Sequence, residues 1–514
     1  MSVDLSALPD EIRTLIAAQA ATIARQQVEL EGHKARIEQL RAQLAKLRRM
    51  QFGRSSEKLD AAITQLELAL EDLEEESGAK AIAEPAIGPA AEVSRPTRRP
   101  LPDHLPRDVV EHVAACACPA CGGALRRFGE DVTEVLDYVP ASFRVTRHVR
   151  PKFSCRSCET ITQAAAPSLP VRRGRAGPGL LAHVLVAKFC DHLPLYRQSE
   201  IYAREGVELE RSTLADWVGQ ASALLRPLVD ALEKHVLAGE CLHADDTPVP
   251  VLAPGTGKTR TGRLWAYLRD ERPQAGTAAP AVRYRYSPDR RGEHPRAHLA
   301  KFRGVLQADG YAGFGCLYEG GHVIEAACWA HARRKFHDIH AAGTSSLARE
   351  ALERIRALYV IEGRITGKPP DLRLKVRQNE AMPLLDSFKA WLEATHAKVP
   401  GRSDVAAAIR YILSRWAALT LYVEDGTIAI DNNPVERAIR PIALGRKNWL
   451  FAGSDAGGER AASIYSLIGT AKLNGLDPEA YLRHVLGCIA DHAVKRVDEL
   501  LPWNISIDPL HTAA

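Results

Sequence analysis

At 514 residues the chain is too long for a single hydrophobic core and should fold as several domains. An apolar fraction of 46% with 25% charged residues excludes a disordered or low-complexity polymer. A net charge of only +5 means that any affinity for polyanions must come from local clusters.

No apolar run approaches the ~18 residues of a membrane span, and "MSVDLSALPDEIRTL" lacks the basic and apolar regions of a signal peptide. A cytoplasmic protein with no membrane partner is expected. The chain has 10 cysteines, and Cys116, Cys118, Cys121, Cys155 and Cys158 crowd one stretch, which favours a local metal site over a disulfide framework.

Ile16, Ile23, Leu30, Ile37 and Leu44 recur every seven residues, with Leu40 and Leu47 on the matching d positions. Residues 10–50 therefore read as a coiled coil within an oligomerisation segment, 1–60, and predict a homo-oligomer. The early d positions Gln19, Gln26 and His33 are polar, so a helical hairpin remains the alternative. Residues 61–106 run from acidic "EDLEEES" into an Ala/Pro-rich linker.

A zinc-binding module is expected over 107–178. Cys118-x-x-Cys121 and Cys155-x-x-Cys158 offer two thiolate pairs on tight turns, which suits tetrahedral Zn²⁺, and the long gap between them predicts a hairpin. Cys116 could replace Cys118. Residues 138–179 carry eight Lys/Arg against the single acid Glu159, a stripe that fits either a phosphate backbone or a solvated basic face. Over 179–238, "LPLYRQSEIYAREGVELERSTLADWVGQASALL" predicts two helices around a Gly206 turn, the second capped at Ser212. That pattern allows a helix-turn-helix-like DNA-binding segment, with Trp217 and Leu224 in the core.

From 239 to 343 the pattern turns to strands. "ECLHADDTPVPVL" alternates so that His243, Asp245 and Thr247 share one face while Ala244 and Asp246 share the other. "RLWAYLRD", "AVRYRYS", a short helix around His298, and "GVLQADGY" follow, the last ending its apolar strand at Asp309. Three antiparallel strands, a helix and a strand ending in aspartate is the order of a ribonuclease-H-like fold. A helical insertion is expected over 344–425, the rest of the core over 426–475 and a helical tail over 476–514.

Within "AIDNNPVERAIRPIALGRKNWLF", Asn433 could cap a helix with Pro434 at its first position and Glu436 closing a capping box. Glu436 and Arg440 also stand i,i+4. The other reading makes Glu436 a third carboxylate beside Asp245 and Asp309. Such a trio holds two Mg²⁺ (or Mn²⁺) ions roughly 4 Å apart for in-line attack on a phosphodiester. Arg437, Arg440, Arg446 and Lys447 would then meet DNA phosphates, as would His331, Arg334 and Lys335 on one face of the helix in "CWAHARRKF".

"RRMQFGRSSEKL", the two Cys-x-x-Cys pairs, "HLPLYRQ", "RSTLADWV", "ADDTPVPVL", "QADGYAGF", "CWAHARRKF", "DNNPVERAIRPIALGRKNWLFAGSDAGGERAA" and "DELLPWN" together resemble an insertion-sequence-66 family transposase. The resemblance implies a multidomain α+β enzyme of a bacterial mobile element, nucleoid-associated, with an Asp-Asp-Glu triad at Asp245, Asp309 and Glu436. It implies terminal inverted repeats and target DNA as partners, joined by two short accessory proteins of the same element. Where the family commonly has Asp-Glu-Thr-Pro this chain has Asp245-Asp246-Thr247-Pro248, which raises a metal role for Asp246. The alternatives are a structure-specific nuclease with the same triad and a catalytically silent DNA-binding regulator.

Overall fold

The computed structural model describes residues 101–506, apart from 102, 104, 113–117, 119, 140–141, 172–173, 254–257, 343–344 and 450–451. The heptad segment, most of the linker and Cys116 lie outside the described residues. Among the described residues no helix is long and apolar enough to cross a membrane.

The first sheet is a ribbon. Strands β1 (Arg107–Glu111), β2 (Leu125–Val139), β3 (Ser142–Cys155) and β4 (Ile161–Gln163) are ordered β1-β3-β2, with β4 also on β3. Along β3 the buried residues Phe143, Val145, Val149 and Cys155 fall on one face, the period of two that a half-buried strand requires. That face joins the main core through Val145, Leu136 and Leu180.

Three helices follow: α1 (Pro178–Phe189), α2 (Leu195–Arg204) and α3 (Arg211–Leu237). The amide of Leu180 donates to Asp137 Oδ1 at 2.9 Å, so a β2 carboxylate takes up one of the free donors at the start of α1. A Cβ on Gly179 would lie 2.4 Å from that oxygen, which restricts the position to glycine. Gly206, at φ +82°, makes the expected turn after α2. Helix α3, however, starts at Arg211 with Glu210 as N-cap and no side-chain cap, in place of the cap expected at Ser212. Its first half is sunk in the core: Leu214, Ala215 and every residue from Trp217 to Ser222 are buried, with Leu224 packed against them. That burial puts one face of α3 in the core, while Arg211, Ser212, Thr213 and Asp216 at its start stay partly exposed.

The second sheet carries the candidate site. Strands β5 (Cys241–Ala253), β6 (Lys258–Arg269), β7 (Ala281–Ser287), β8 (Gly304–Ala308) and β9 (Val323–Ala327) are ordered β7-β6-β5-β8-β9. β5, β6 and β7 pair antiparallel, whereas β8 runs parallel to β5 and β9 parallel to β8. The short helix α4 (Glu293–His298) and the single turn α5 (Gly315–Tyr318) flank β8.

After β9, α6 (Trp329–Ala342) leads into a helical insertion of α7 (Ser346–Ile365), α8 (Pro370–Val376), α9 (Met382–His396), α10 (Asp404–Ser414) and α11 (Trp416–Thr420). These helices build a second core around Trp329, Phe336 and Phe388. Arg377, fully buried, makes bidentate bonds of 2.8 and 2.7 Å to Glu362 and also donates to the Tyr422 and Asp425 carbonyls. A buried charge so fully paired holds the exit of the insertion at one place. The chain then returns through α12 (Asn433–Trp449), α13 (Asp455–Leu473) and α14 (Pro478–Cys488). Ser466 and Thr470 of α13 accept from the Tyr284 and Val282 amides at 2.9 and 3.1 Å, which covers the edge strand β7.

Candidate functional site

The cysteine centre follows from hairpin register. Leu125 at the start of β2 pairs with Cys155 at the end of β3, so both Cys-x-x-Cys turns meet at one end of the ribbon. The Sγ atoms of Cys118 and Cys158 are 3.6 Å apart, Cys121 and Cys155 3.5 Å, and Cys121 and Cys158 3.3 Å. Zinc–sulfur bonds of ~2.3 Å imply a tetrahedral edge of about 3.8 Å, so the four thiols are consistent with Zn²⁺. Gly122, at φ +69°, turns the first pair, and a Cβ on Gly123 would lie 3.2 Å from Cys155 Sγ.

Three cations of the neighbouring basic stripe have acidic partners. Arg144 pairs with Asp108 at 3.2 Å, while Lys152 and Arg150 approach Asp131 at 2.7 and 3.8 Å. The hydrogen bond from Lys152 holds the Asp131 carboxyl below its usual range. These partners lie on adjacent strands, so residue order along the chain does not display them.

The carboxylate centre rests on the parallel pairing of β5 and β8. Their last register pair is Ala244 with Ala308, so Asp245 and Asp309 are the next residues on adjacent strands, which lie about 4.8 Å apart. Asp245 is pushed up to about 7, first by burial and then by the negative charges of Asp309, Asp246 and Glu436. Asp309 keeps a partly exposed side chain and accepts from the Tyr311 amide at 3.2 Å.

Glu436 reaches this centre because the start of α12 is tied to β5. Asn432, fully buried, donates from Nδ2 to the Ala244 carbonyl at 2.8 Å, and His243 Nδ1 donates to its Oδ1 at 3.0 Å. Its own amide donates to Cys328 Sγ at 3.1 Å. One turn later, Glu436 Oε1 lies 3.6 Å from His331 Nδ1 and Oε2 lies 3.7 Å from Arg334. The capping box expected at Asn433 is not formed. Asn433 spends its side-chain amide on Asp431 at 2.7 Å, and Glu436 Oε1 is buried without any hydrogen-bond donor. Nor does Glu436 pair with Arg440, because its carboxylate turns toward α6.

Asp246 points the other way. Its side chain is 2% exposed, accepting from Arg263 at 2.9 Å and from Arg290 at 3.0 and 2.8 Å. Arg290 also stands 3.8 Å from Asp309 and 4.1 Å from the Tyr311 ring. Both carboxylate oxygens of Asp246 are thereby taken by guanidinium groups. Neither arginine announces itself in the sequence, since each lies among ordinary strand and turn residues. Asp431 accepts from the Asn433 amide at 3.1 Å and from its side chain at 2.7 Å, and Asp425 accepts from the Thr427 amide at 2.7 Å.

Among the candidate DNA-binding residues, His331 and Arg334 border Glu436, and Lys335 sits 4.5 Å over the Tyr411 ring. Arg437 and Arg440 are exposed on α12, and Arg446 and Lys447 continue that helix. A cleft of about 580 Å³ opens between α6 and α7 beside Asn433. Arg333, Arg334, Arg349, Arg356 and His337 line it against the single acid Glu353. Arg349 and Arg356 come from the insertion and belong to none of the motifs above.

Residues 173–460 match the family model described as Transposase IS66 family, and 115–159 match the zinc-finger binding domain of transposase IS66. Residues 39–110 match Transposase C of IS166 homeodomain, and 466–503 match the IS66 C-terminal element. The chain is 44% identical over 489 residues to the uncharacterized protein y4hP of Sinorhizobium fredii, covering 90% of this chain and 88% of that one. It is 39% identical over 511 residues to y4qI of the same organism, also uncharacterized, covering 96% and 94%. One family model spans more than half of the chain, with the zinc-finger and C-terminal elements flanking it in order, and the chain therefore belongs to the IS66 family of transposases.

Proposed function

We propose that the protein is a DNA transposase that cleaves element ends and joins them to target DNA, with Asp245, Asp309 and Glu436 as its catalytic carboxylates. One observation carries this reading. Asp245 is a half-buried mid-strand carboxyl that feels the charges of Asp309 and Glu436, which arrive from a neighbouring strand and a helix beyond the whole insertion. The sheet order β7-β6-β5-β8-β9, with three antiparallel strands and two parallel ones, supports a ribonuclease-H-like domain.

The donor set fits hard divalent cations. Its ligands are carboxylate oxygens, Asp245 is raised first by burial and then by its acidic neighbours, and Glu436 Oε1 has no donor to satisfy it. Magnesium or manganese held by these oxygens would supply Lewis acidity for in-line attack on a phosphodiester. The protein's own groups do the rest. Arg263 and Arg290 neutralise Asp246 beneath the site, and Arg290 also faces Asp309. The basic cleft between α6 and α7, with Arg437 and Arg440, gives DNA phosphates a continuous set of cations beside the carboxylates. The cysteine centre would hold Zn²⁺ as a structural ion, and the heptad segment would pair two copies of the chain for synapsis of two ends.

The test is Mg²⁺-dependent cleavage of an element-end duplex, run beside a gel shift on the same DNA. Glu436→Gln preserves shape, so a residue that only closed a capping box would tolerate it, because glutamine serves there too. On the present reading cleavage falls by several orders of magnitude while binding persists. Wild-type cleavage by Glu436→Gln would remove it from the triad, and cleavage without strand joining in the wild type would make the protein a nuclease.

A further inference from the structure

We propose that Cys328, His331 and Glu436 form a second transition-metal site, separate from the four-cysteine centre, that takes a zinc-class ion. Cys328 is the residue before α6 and His331 lies in its first turn, so the i,i+3 spacing directs both side chains to one side of the helix start. Glu436 of α12 faces them. One donor atom from each residue lies within 4.8 Å of the other two.

Two further observations point to a ligand. His331 Nδ1 and Glu436 Oε1 are buried polar atoms, 3.6 Å apart, and neither has a hydrogen-bond partner. Buried polar groups are almost always satisfied, and one shared cation would satisfy both. The third donor is prepared as well. Cys328 is 2% exposed, and the Asn432 amide donates to its sulfur at 3.1 Å, an outer contact of the kind that steadies a bound thiolate.

The chemistry of the donors selects the ion. Sulfur, imidazole and one carboxylate suit Zn²⁺, or Co²⁺ in its place, and disfavour Mg²⁺, which takes oxygen. Ligand atoms around such an ion stand about 3.3–3.8 Å apart, so the three need only a small closure. Three protein ligands would leave a fourth position open. Binding releases the Cys328 thiol proton to solvent, and Arg334, exposed by 61%, swings away from Glu436. If Glu436 is catalytic, as proposed above, an ion here withdraws it from magnesium and stops cleavage.

The experiment is titration of the metal-free full-length protein with Co²⁺, followed by its visible spectrum and by metal analysis. The wild type should take up about two equivalents, one with a four-thiolate spectrum and one with a single-thiolate spectrum. Cys328→Ser and His331→Ala should each lose the second equivalent and keep the first. One equivalent in the wild type, or two in both variants, overturns the site. Zinc inhibition of Mg²⁺-dependent cleavage is then read separately. Two equivalents without inhibition would leave the metal site standing and remove Glu436 from catalysis.

Discussion

Cys118, Cys121, Cys155 and Cys158 come from two turns closed by one hairpin. Asp245, Asp309 and Glu436 come from a strand, the end of its neighbour and a helix reached only after a helical insertion with its own core. The difference lies in what each does without its cation. The four cysteines sit on two short turns, where metal binding and the closing of those turns are coupled. The carboxylates are held regardless, by strand pairing and by the Asn432 tie to β5, and the scaffold keeps like charges together at a cost that a cation relieves. On the proposed reading, one centre is built by its metal and the other is built to receive one.

The largest effect that would break this contrast concerns zinc. The purified protein should hold about one tightly bound zinc at the four-cysteine centre. Cys155→Ser with Cys158→Ser should abolish it and expose the ribbon end to limited proteolysis, since structural zinc sites contribute roughly 10–16 kcal/mol in small domains. Full zinc retention by that double mutant, with Cys328 also replaced, would dissolve the centre.

Next in size is the pH response of Asp245. Its folded pKa, about 7, lies above the ordinary 3.8, so the folded protein holds this proton more tightly than the unfolded chain does. Stability in Mg²⁺-free buffer should therefore fall as pH rises from about 4 to about 7 and level off beyond. The roughly three-unit rise sets an upper bound of about 4 kcal/mol. Asp245→Asn should remove that slope and stabilise the protein at pH 8 in urea unfolding with zinc retained, while abolishing cleavage. An unchanged slope would mean that the carboxylates do not share a site.

The smallest effect separates the two neighbours on β5. Asp246→Asn leaves Arg263 and Arg290 short of their counter-charge, and because both arginines are partly exposed the loss should be about 1–3 kcal/mol of stability. Cleavage per folded molecule should stay within roughly tenfold of the wild type, about 1.4 kcal/mol in barrier. A collapse of cleavage at full stability would give Asp246 a metal role and Asp245 the structural one.

How far the sequence could be read depends on the range over which each feature is decided. The two Cys-x-x-Cys turns, the hairpin between them, β7 at residues 281–287 and the strand ending just before Asp309 are set by turn chemistry and by apolar periodicity within a few residues. The alternation that separates Asp245 from Asp246 is equally local, because successive strand side chains must point to opposite faces. Tertiary structure alone decided the rest. Glu436 has the spacing of a capping box, yet Asn432 is drawn into β5 by His243 and Ala244, which lie far away in sequence, and this turns Glu436 toward His331. Helix α3 has the pattern of the second helix of a helix-turn-helix, and only the packing decides that Leu214, Ala215 and Trp217 to Ser222 face the core while Arg211, Ser212 and Thr213 stay partly exposed. Arg263 and Arg290 close on Asp246 only because a strand and a turn fold over it. Backbone geometry is determined residue by residue, whereas the partner of a buried polar group is chosen by whichever donor the packing brings within about 3 Å, and that choice is not written beside it in the chain.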